Sequence, residues 1–237
     1  MNVLTIECAT NLLEIAVVSE NIFVSASVDQ GLHMSENLIP VLEGVLGRAG
    51  IQPAGIDCIA VNKGPGSFTS LRLGFSLAKG LALSTGCPVY AVPAMEVYAF
   101  PFAGFKSAVI PSIDAKRGKF YAGVFRQGAE VTAAGDYSVK EICAFTDPEE
   151  PVLLAGPDAG LLKERMLDHN PLAVLFTVDS PIHASRALFE LALRQKNSCF
   201  PPLAENEGPL YIRLSEAEET EVSKTKIPSQ QALRAGY

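Results

Sequence analysis

The chain has 237 residues, 48% of them apolar and only 19% charged, and its 19 Lys+Arg against 26 Asp+Glu leave a net charge of −7. This much apolar material excludes a disordered or fibrous chain, and the scarcity of charge implies a large core or an apolar surface kept for a partner. An acidic balance argues against tight unaided binding of nucleic acid, which rests on neutralising phosphates with Lys and Arg.

The first stretch, 2–28, reads as three short strands in an antiparallel meander: the apolar run Val3-Leu4-Thr5-Ile6, the alternation of Leu13, Ile15 and Val17, and a third strand opened by Ile22-Phe23-Val24. Leu38, Val41, Leu42, Val45 and Ala49 share one face of a helix over 34–49, with Pro40 near its start and Gly50 as its stop. Ile56–Val61 is an apolar strand, followed by the loop Gly64-Pro65-Gly66-Ser67-Phe68-Thr69 and a helix over 69–85 that Ser67 or Thr69 can cap. A strand at 88–92 and a short helix after Pro93 complete a βββαβαβα order. The order then restarts with strands at 107–113, 120–125 and just after Gly128. A short helix near 138–145, a strand at 152–155, a helix near 158–167, a strand near 173–178 and a helix near 182–197 follow. Two α/β domains facing a cleft are expected, at 1–104 and 105–214, with a tail at 215–237. That tail either frays or docks onto the first domain.

No apolar run approaches the roughly 20 residues of a membrane-spanning helix. Residues Met1–Glu7 carry an acid where an export signal is apolar, so a cytoplasmic location without membrane attachment is expected. Cys8, Cys58, Cys87, Cys143 and Cys199 are odd in number and scattered, which reads as reduced thiols. The three histidines lack helical metal-ligand spacing.

Several groupings carry chemistry. The glycine-rich loop 64–69, between a strand and a helix N-terminus, has the parts of an anion site, but the plainer reading is a tight strand-to-helix turn. Glu7 and Asp114 end equivalent strands and could flank the cleft as paired carboxylates, or each could simply cap its own turn. Lys116, Arg117 and Lys119 form a basic turn, which reads as a phosphate contact or a solvated loop. The helix 69–85 has two apolar stripes, Leu71/Phe75/Ala78/Ala82 and Leu73/Leu77/Gly80, so it is either sandwiched in the core or presents an interface.

These residues also carry a resemblance. Gly64-Pro65-Gly66-Ser67-Phe68-Thr69-Ser70-Leu71-Arg72-Leu73-Gly74 is similar to the GPGSFTGLR(I/L)G signature of the bacterial TsaB (YeaZ) family. Leu4–Thr10, His33–Pro40, Asp114–Tyr121 with Arg117, and Pro209–Arg213 resemble four further motifs of that family in the same order. The resemblance implies two RNase-H-like domains of the actin-like (ASKHA) type. It also implies a share in forming N6-threonylcarbamoyladenosine on tRNA beside the anticodon.

In that family TsaB is implied to be a non-catalytic paralogue that pairs with the transferase TsaD, is joined by the ATPase TsaE, and meets tRNA only through the complex. No cofactor is implied for the chain itself, although ATP or ADP can sit at the joint with TsaD. The transferase's metal-binding HxxxH has no counterpart in Val92–Tyr98. Glu7 stands where the family has Asp, and Ser70 where it has Gly. The family's TsaB–TsaD contact uses the two helices of the first domain, so Leu73, Gly74, Leu77 and Ala78 with Leu38 and Leu42 are expected to form that surface, and to pair two copies when the chain is alone. An actin-like ATPase or small-molecule kinase acting alone, and a glycoprotease-like peptidase, are the competing readings.

Overall fold

A computed structural model describes residues 1–29, 34–178 and 184–213. The first three strands, β1 (Val3–Glu7), β2 (Leu12–Val18) and β3 (Phe23–Asp29), form the expected meander. Helix α1 (Met34–Ala49) leads through a 3-10 turn at Pro53–Gly55 to β4 (Cys58–Gly64). Helix α2 (Phe68–Thr85) follows, then β5 (Val89–Pro93) and α3 (Ala94–Ala99). The second half contains β6 (Ala108–Lys116), β7 (Lys119–Arg126), β8 (Ala129–Ser138), α4 (Val139–Cys143), β9 (Val152–Ala155), α5 (Ala159–His169), β10 (Leu175–Thr177) and α6 (Ala184–Asn197).

The two sheets run β3-β2-β1-β4-β5 and β8-β7-β6-β9-β10, one order repeated in each half. In each, the opening strand is central, antiparallel to its successor and parallel to the strand after the first crossover: Leu4 faces Val17 and Ile59, and Val109 faces Phe125 and Leu153. Being covered on both faces, β1 is buried along its whole length, which is why it reads as an unbroken apolar run. Both halves are therefore RNase-H-like, as expected. The tail 215–237 and the histidines His33 and His183 lie outside the described residues.

The units do not follow the chain in the expected way. Helix α6 and the segment after it fall within 105–214, yet α6 packs on the first sheet. Ala187, Leu188, Leu191 and Ala192 bury against Val3, Ala16, Val18, Cys58 and Ala60. Its large apolar face has to be covered, and the free face of the first sheet covers it. Residues beyond it stay with the first unit: the Leu203 amide donates to the Val89 carbonyl and the Leu210 amide to the Lys63 carbonyl. The second sheet packs α4 and α5 on its outer face through Ile110, Ile142, Leu154 and Leu162. On its inner face, Val109, Ile113 and Phe125 join Met95 and Ala99 of α3 in the cluster that continues into the first core.

Candidate functional site

The carboxyl ends of the central strands of both sheets meet at the junction of the two domains. In open α/β sheets this is where ligands bind. A cavity of about 700 Å³ opens there between the β1–β2 turn, the glycine loop, the β6–β7 turn and the end of the described chain, Leu210–Arg213. A second cavity, about 530 Å³, lies between Glu7, Glu14, Tyr98 and Phe102 on one side and Gly156–Leu161 on the other.

Two amides of the glycine loop are bonded within the first domain, and Gly66–Thr69 line the larger cavity. The Ser67 amide donates to the Ala9 carbonyl at 2.7 Å and the Gly64 amide to Asn62 Oδ1 at 2.8 Å. Ser67 caps α2, its Oγ accepting from the Ser70 amide. Gly66 is packed so closely on the β1–β2 turn that a Cβ there would sit 2.0 Å from the Ala9 carbonyl oxygen. Gly64, at φ +92°, lies where a Cβ would meet the Leu210 carbonyl at 3.0 Å. The glycines at 64 and 66 are thus required by close backbone approach, as a tight strand-to-helix turn demands. Gly66→Ala is expected to lower stability by about 2 kcal/mol, as overpacking does; urea denaturation measures it, and an unchanged midpoint contradicts the packing. Ser70, where the family has glycine, starts no turn: it is inside α2, buried, and its hydroxyl donates to Ser67 Oγ at 2.9 Å.

Glu7 and Asp114 do not form a pair, for they face different cavities. Glu7 is 3% exposed. Its Oε1 accepts from the Ala9 amide at 2.8 Å and from the Tyr98 hydroxyl at 3.1 Å, and its Oε2 accepts from Asn62 Nδ2 at 2.6 Å. Burial pushes its carboxyl up to about 7 against those three hydrogen bonds, and Glu14, opposite it on β2, adds repulsion. Asp114 is the reverse case. Partial burial raises it, but the Lys116 ammonium at 2.7 Å and the Lys116 amide at 2.8 Å outweigh this and hold it below the usual range. The main-chain amide of Asp114 donates to Asp158 Oδ2 at 2.7 Å, so the residue before α5 holds the end of the neighbouring strand β6 and makes no side-chain cap to its own helix.

Lys116, Arg117 and Gly118 form the β6–β7 turn with φ of 64°, 57° and 74°, and Lys116 and Arg117 line the larger cavity. Phe68 and Arg72 of the signature meet Tyr211: the Phe68 and Tyr211 rings lie 4.4 Å apart, the Arg72 guanidinium stacks 3.9 Å over Phe68, and its Nε donates to the Tyr211 hydroxyl at 3.3 Å. Pro65 and Thr69 line the same cavity, and the Gly64–Pro65 peptide is cis. Asn62, Tyr98, Asp136 and Asp158 escaped the sequence reading. Only the Gly156-Pro157-Asp158 turn after β9 carried a local signal for any of them.

The expected partner surface needs correction. Leu38, Leu42, Gly74, Leu77 and Ala78 are all buried within the first domain, and all but Gly74 belong to one apolar cluster. Gly74 faces β1, where a Cβ would lie 2.1 Å from Cys8 Sγ. The second stripe of α2 is therefore half sandwiched: Leu77 turns inward, in the same cluster as Leu38 and Leu42 of α1. Leu73 is half-buried, and the outward strip runs from it through Ser76 and Gly80 to Leu83, which is 91% exposed. Of the cysteines, Cys8, Cys58 and Cys87 are buried, Cys143 is half-buried and Cys199 exposed, all as free thiols. Among the described residues no helix is long and apolar enough to cross a membrane.

Two RNase-H-like domains that face each other across a cleft define an α/β protein of the actin-like type. The family profile described as TsaD, tRNA N6-adenosine threonylcarbamoyltransferase, matches residues 30–156. The chain is 28% identical to the tRNA threonylcarbamoyladenosine biosynthesis protein TsaB of Bacillus subtilis (strain 168) over 95% of its own length and 100% of that protein's. It is 47% identical to a tRNA N6-adenosine threonylcarbamoyltransferase of Porphyromonas gingivalis over 24% of this chain and 17% of that one. The crystal structure of a Pseudomonas aeruginosa protein with similarity to the peptidase YeaZ superposes with a TM-score of 0.71 at 24% identity, covering 90% of this chain and 99% of that one. The chain belongs to the TsaD-type threonylcarbamoyltransferase family and, within it, to the TsaB (YeaZ) branch.

Proposed function

We propose that the chain is the non-catalytic subunit of the complex that forms N6-threonylcarbamoyladenosine on tRNA, pairing with and supporting a TsaD-type transferase. The observation that carries this reading is the likeness to Bacillus subtilis TsaB along nearly the whole of both chains. Membership of the family assigns the chain to tRNA threonylcarbamoyladenosine biosynthesis. The non-catalytic assignment is supported by α3. Where the resemblance puts the transferase's HxxxH, this chain has Val92–Tyr98, which holds no histidine and buries Ala94, Met95 and Val97 in the cores on either side. The reading as a free-standing ATPase is weakened by the separation of Glu7 from Asp114 into two cavities.

In this reading the chain works in the cytoplasm, needs no cofactor of its own, and meets ATP or ADP at the joint with TsaD. TsaE joins the pair, and tRNA is bound through the complex, in keeping with the net charge of −7. The surface offered to TsaD, or to a second copy when the chain is alone, is the outward strip Leu73–Gly80–Leu83 of α2. Nucleoside mass spectrometry of tRNA after depletion of the protein tests the role: threonylcarbamoyladenosine falls sharply, and an undiminished level overturns the assignment. Leu83→Glu tests the surface. It is expected to leave the melting temperature within a few degrees, as surface changes do, and to abolish co-elution with TsaD. Normal co-elution rules the strip out.

A further inference from the structure

The segment 198–213 that follows α6 touches both domains. It runs back along the first domain, bonded to β5 and β4 through the Leu203 and Leu210 amides. Lys79 of α2 holds it with its ammonium, which donates to the Glu205 and Glu207 carbonyls. Tyr211 then packs on Phe68 and Arg72 at the start of α2. Two residues later the chain reaches the other domain. Arg213 grips Asp136 of β8 with two nearly parallel bonds, Nε to Oδ2 at 2.7 Å and Nη2 to Oδ1 at 2.8 Å, and its Nη1 donates to the Ala115 carbonyl at 2.6 Å. The side chains of Arg213 and Asp136 are 21% and 17% exposed, so this fork is sheltered from the water that weakens surface pairs.

The position of this arm matters. The described residues that flank the two passages of the chain between the domains, Pro101 and Phe102 at the first and Val178 and Ala184 at the second, line the smaller cavity. The arm borders the larger one, at Leu210–Arg213. The domains are thus hinged along one cavity and fastened across the other.

We propose that residues 203–213 are a built-in latch, with Arg213–Asp136 as its fastening, that holds the cleft closed without a bound ligand. Two-domain proteins of hinged design usually close around what they bind. Here the chain itself supplies the closing contacts. The release is also prepared: Lys119 Nζ lies 3.4 Å from Asp136 Oδ2, so the carboxylate keeps a cation when Arg213 leaves, and opening strands no buried charge. A partner or ligand that takes the Arg213 fork or the Asp136 carboxylate would therefore set the width of the cleft.

The test uses the full chain, with small-angle scattering and hydrogen exchange read by mass spectrometry. Arg213→Glu places like charges face to face. It should raise the radius of gyration and speed exchange at 115–118 and 66–69 about tenfold, the loss expected of a sheltered charged fork. The swap Arg213→Glu with Asp136→Arg should restore both readings. Arg213→Gln, which keeps the bulk and removes the charge, should open the cleft in the same direction and serves if the glutamate variant fails to fold by circular dichroism. Unchanged scattering and exchange in a folded Arg213 variant overturn the latch. A folded swap that stays open overturns Arg213–Asp136 as its fastening.

Discussion

Leu77→Glu unfolds the first domain instead of freeing it from a partner. Leu77 is 8% exposed and sits in the cluster formed by Leu38, Leu42 and Val45 of α1 with Ile59 and Val61 of β4. The substitution removes a buried apolar side chain, worth about 2 kcal/mol or more. It also puts a carboxylate among neighbours that offer it no cation, or forces it to take up a proton at neutral pH. Together these exceed about 4 kcal/mol, a large part of the stability of a typical domain. Thermal unfolding followed by circular dichroism is expected to show a transition lowered by 10 °C or more, roughly, or none. Complex formation would fail as well, but for want of a folded subunit. A Leu77→Glu protein that melts like the parent would show that α1 and α2 are not packed as described. The pair Leu77→Glu and Leu83→Glu thus separates loss of fold from loss of surface.

This contrast shows what was legible beforehand. The two βββαβαβα halves could be read because each rests on local signals. Alternation marks the meander strands, β1 is apolar throughout, and Gly50 and Gly86 stop the helices just beyond α1 and α2. The two stripes of α2 were equally legible as apolar. Periodicity says which residues avoid water, not which neighbour covers them, so Leu73 and Leu77 of one stripe look alike until α1 is docked, when Leu77 is buried and Leu73 only half-buried. The same limit hid the crossing of α6 to the first sheet: its apolar face fits either domain by composition, and only the empty face of β1–β2–β4–β5 decides it.

Long-range pairs were hidden for a different reason. Arg213 and Asp136 are 77 residues apart, and Phe68 and Tyr211 lie on opposite sides of an intervening domain in the sequence. Nothing local distinguishes Asp136 from its neighbour-strand polar residues. The resemblance had placed the Gly64–Gly74 and Pro209–Arg213 motifs in one family without saying why they belong together. The fold supplies the reason: Tyr211 and Arg72 clasp Phe68, and Gly64 leaves room for the Leu210 carbonyl. The glycine loop tells the same story from the other side. Its shape suggested a ligand, yet two of its amides, those of Ser67 and Gly64, serve the β1–β2 turn and Asn62.

Stability of the chain is expected to fall as pH rises from about 5 to 8, with Glu7 as the main cause. In the folded protein Glu7 holds its proton to about 7, because burial outweighs the bonds from Asn62, Ala9 and Tyr98. In the unfolded chain the same carboxyl ionises near its ordinary value of 4.5. Between the two, the folded state binds more protons than the unfolded state, so stability decreases with pH and the penalty is complete above 7. The gap of about 2.5 units corresponds to roughly 3 kcal/mol. Glu96, also raised by burial, acts in the same direction. Asp114, lowered by Lys116, works in the opposite sense but only at more acid pH.

Glu7→Gln isolates the effect, and its geometry makes the outcome distinctive. A protonated Glu7 can give its single proton to the Tyr98 oxygen and still accept from Ala9 and Asn62. A glutamine amide must instead point an N–H at one of those two donors. The variant is therefore expected to be less stable than the parent at pH 5, by about 1–2 kcal/mol for the unmet bond, and nearly flat to pH 8. The two curves converge or cross near neutrality. Urea denaturation at unit pH steps measures this. A parent curve as flat as that of Glu7→Gln would mean that Glu7 is ionised in the folded protein at pH 5, against the burial that surrounds it.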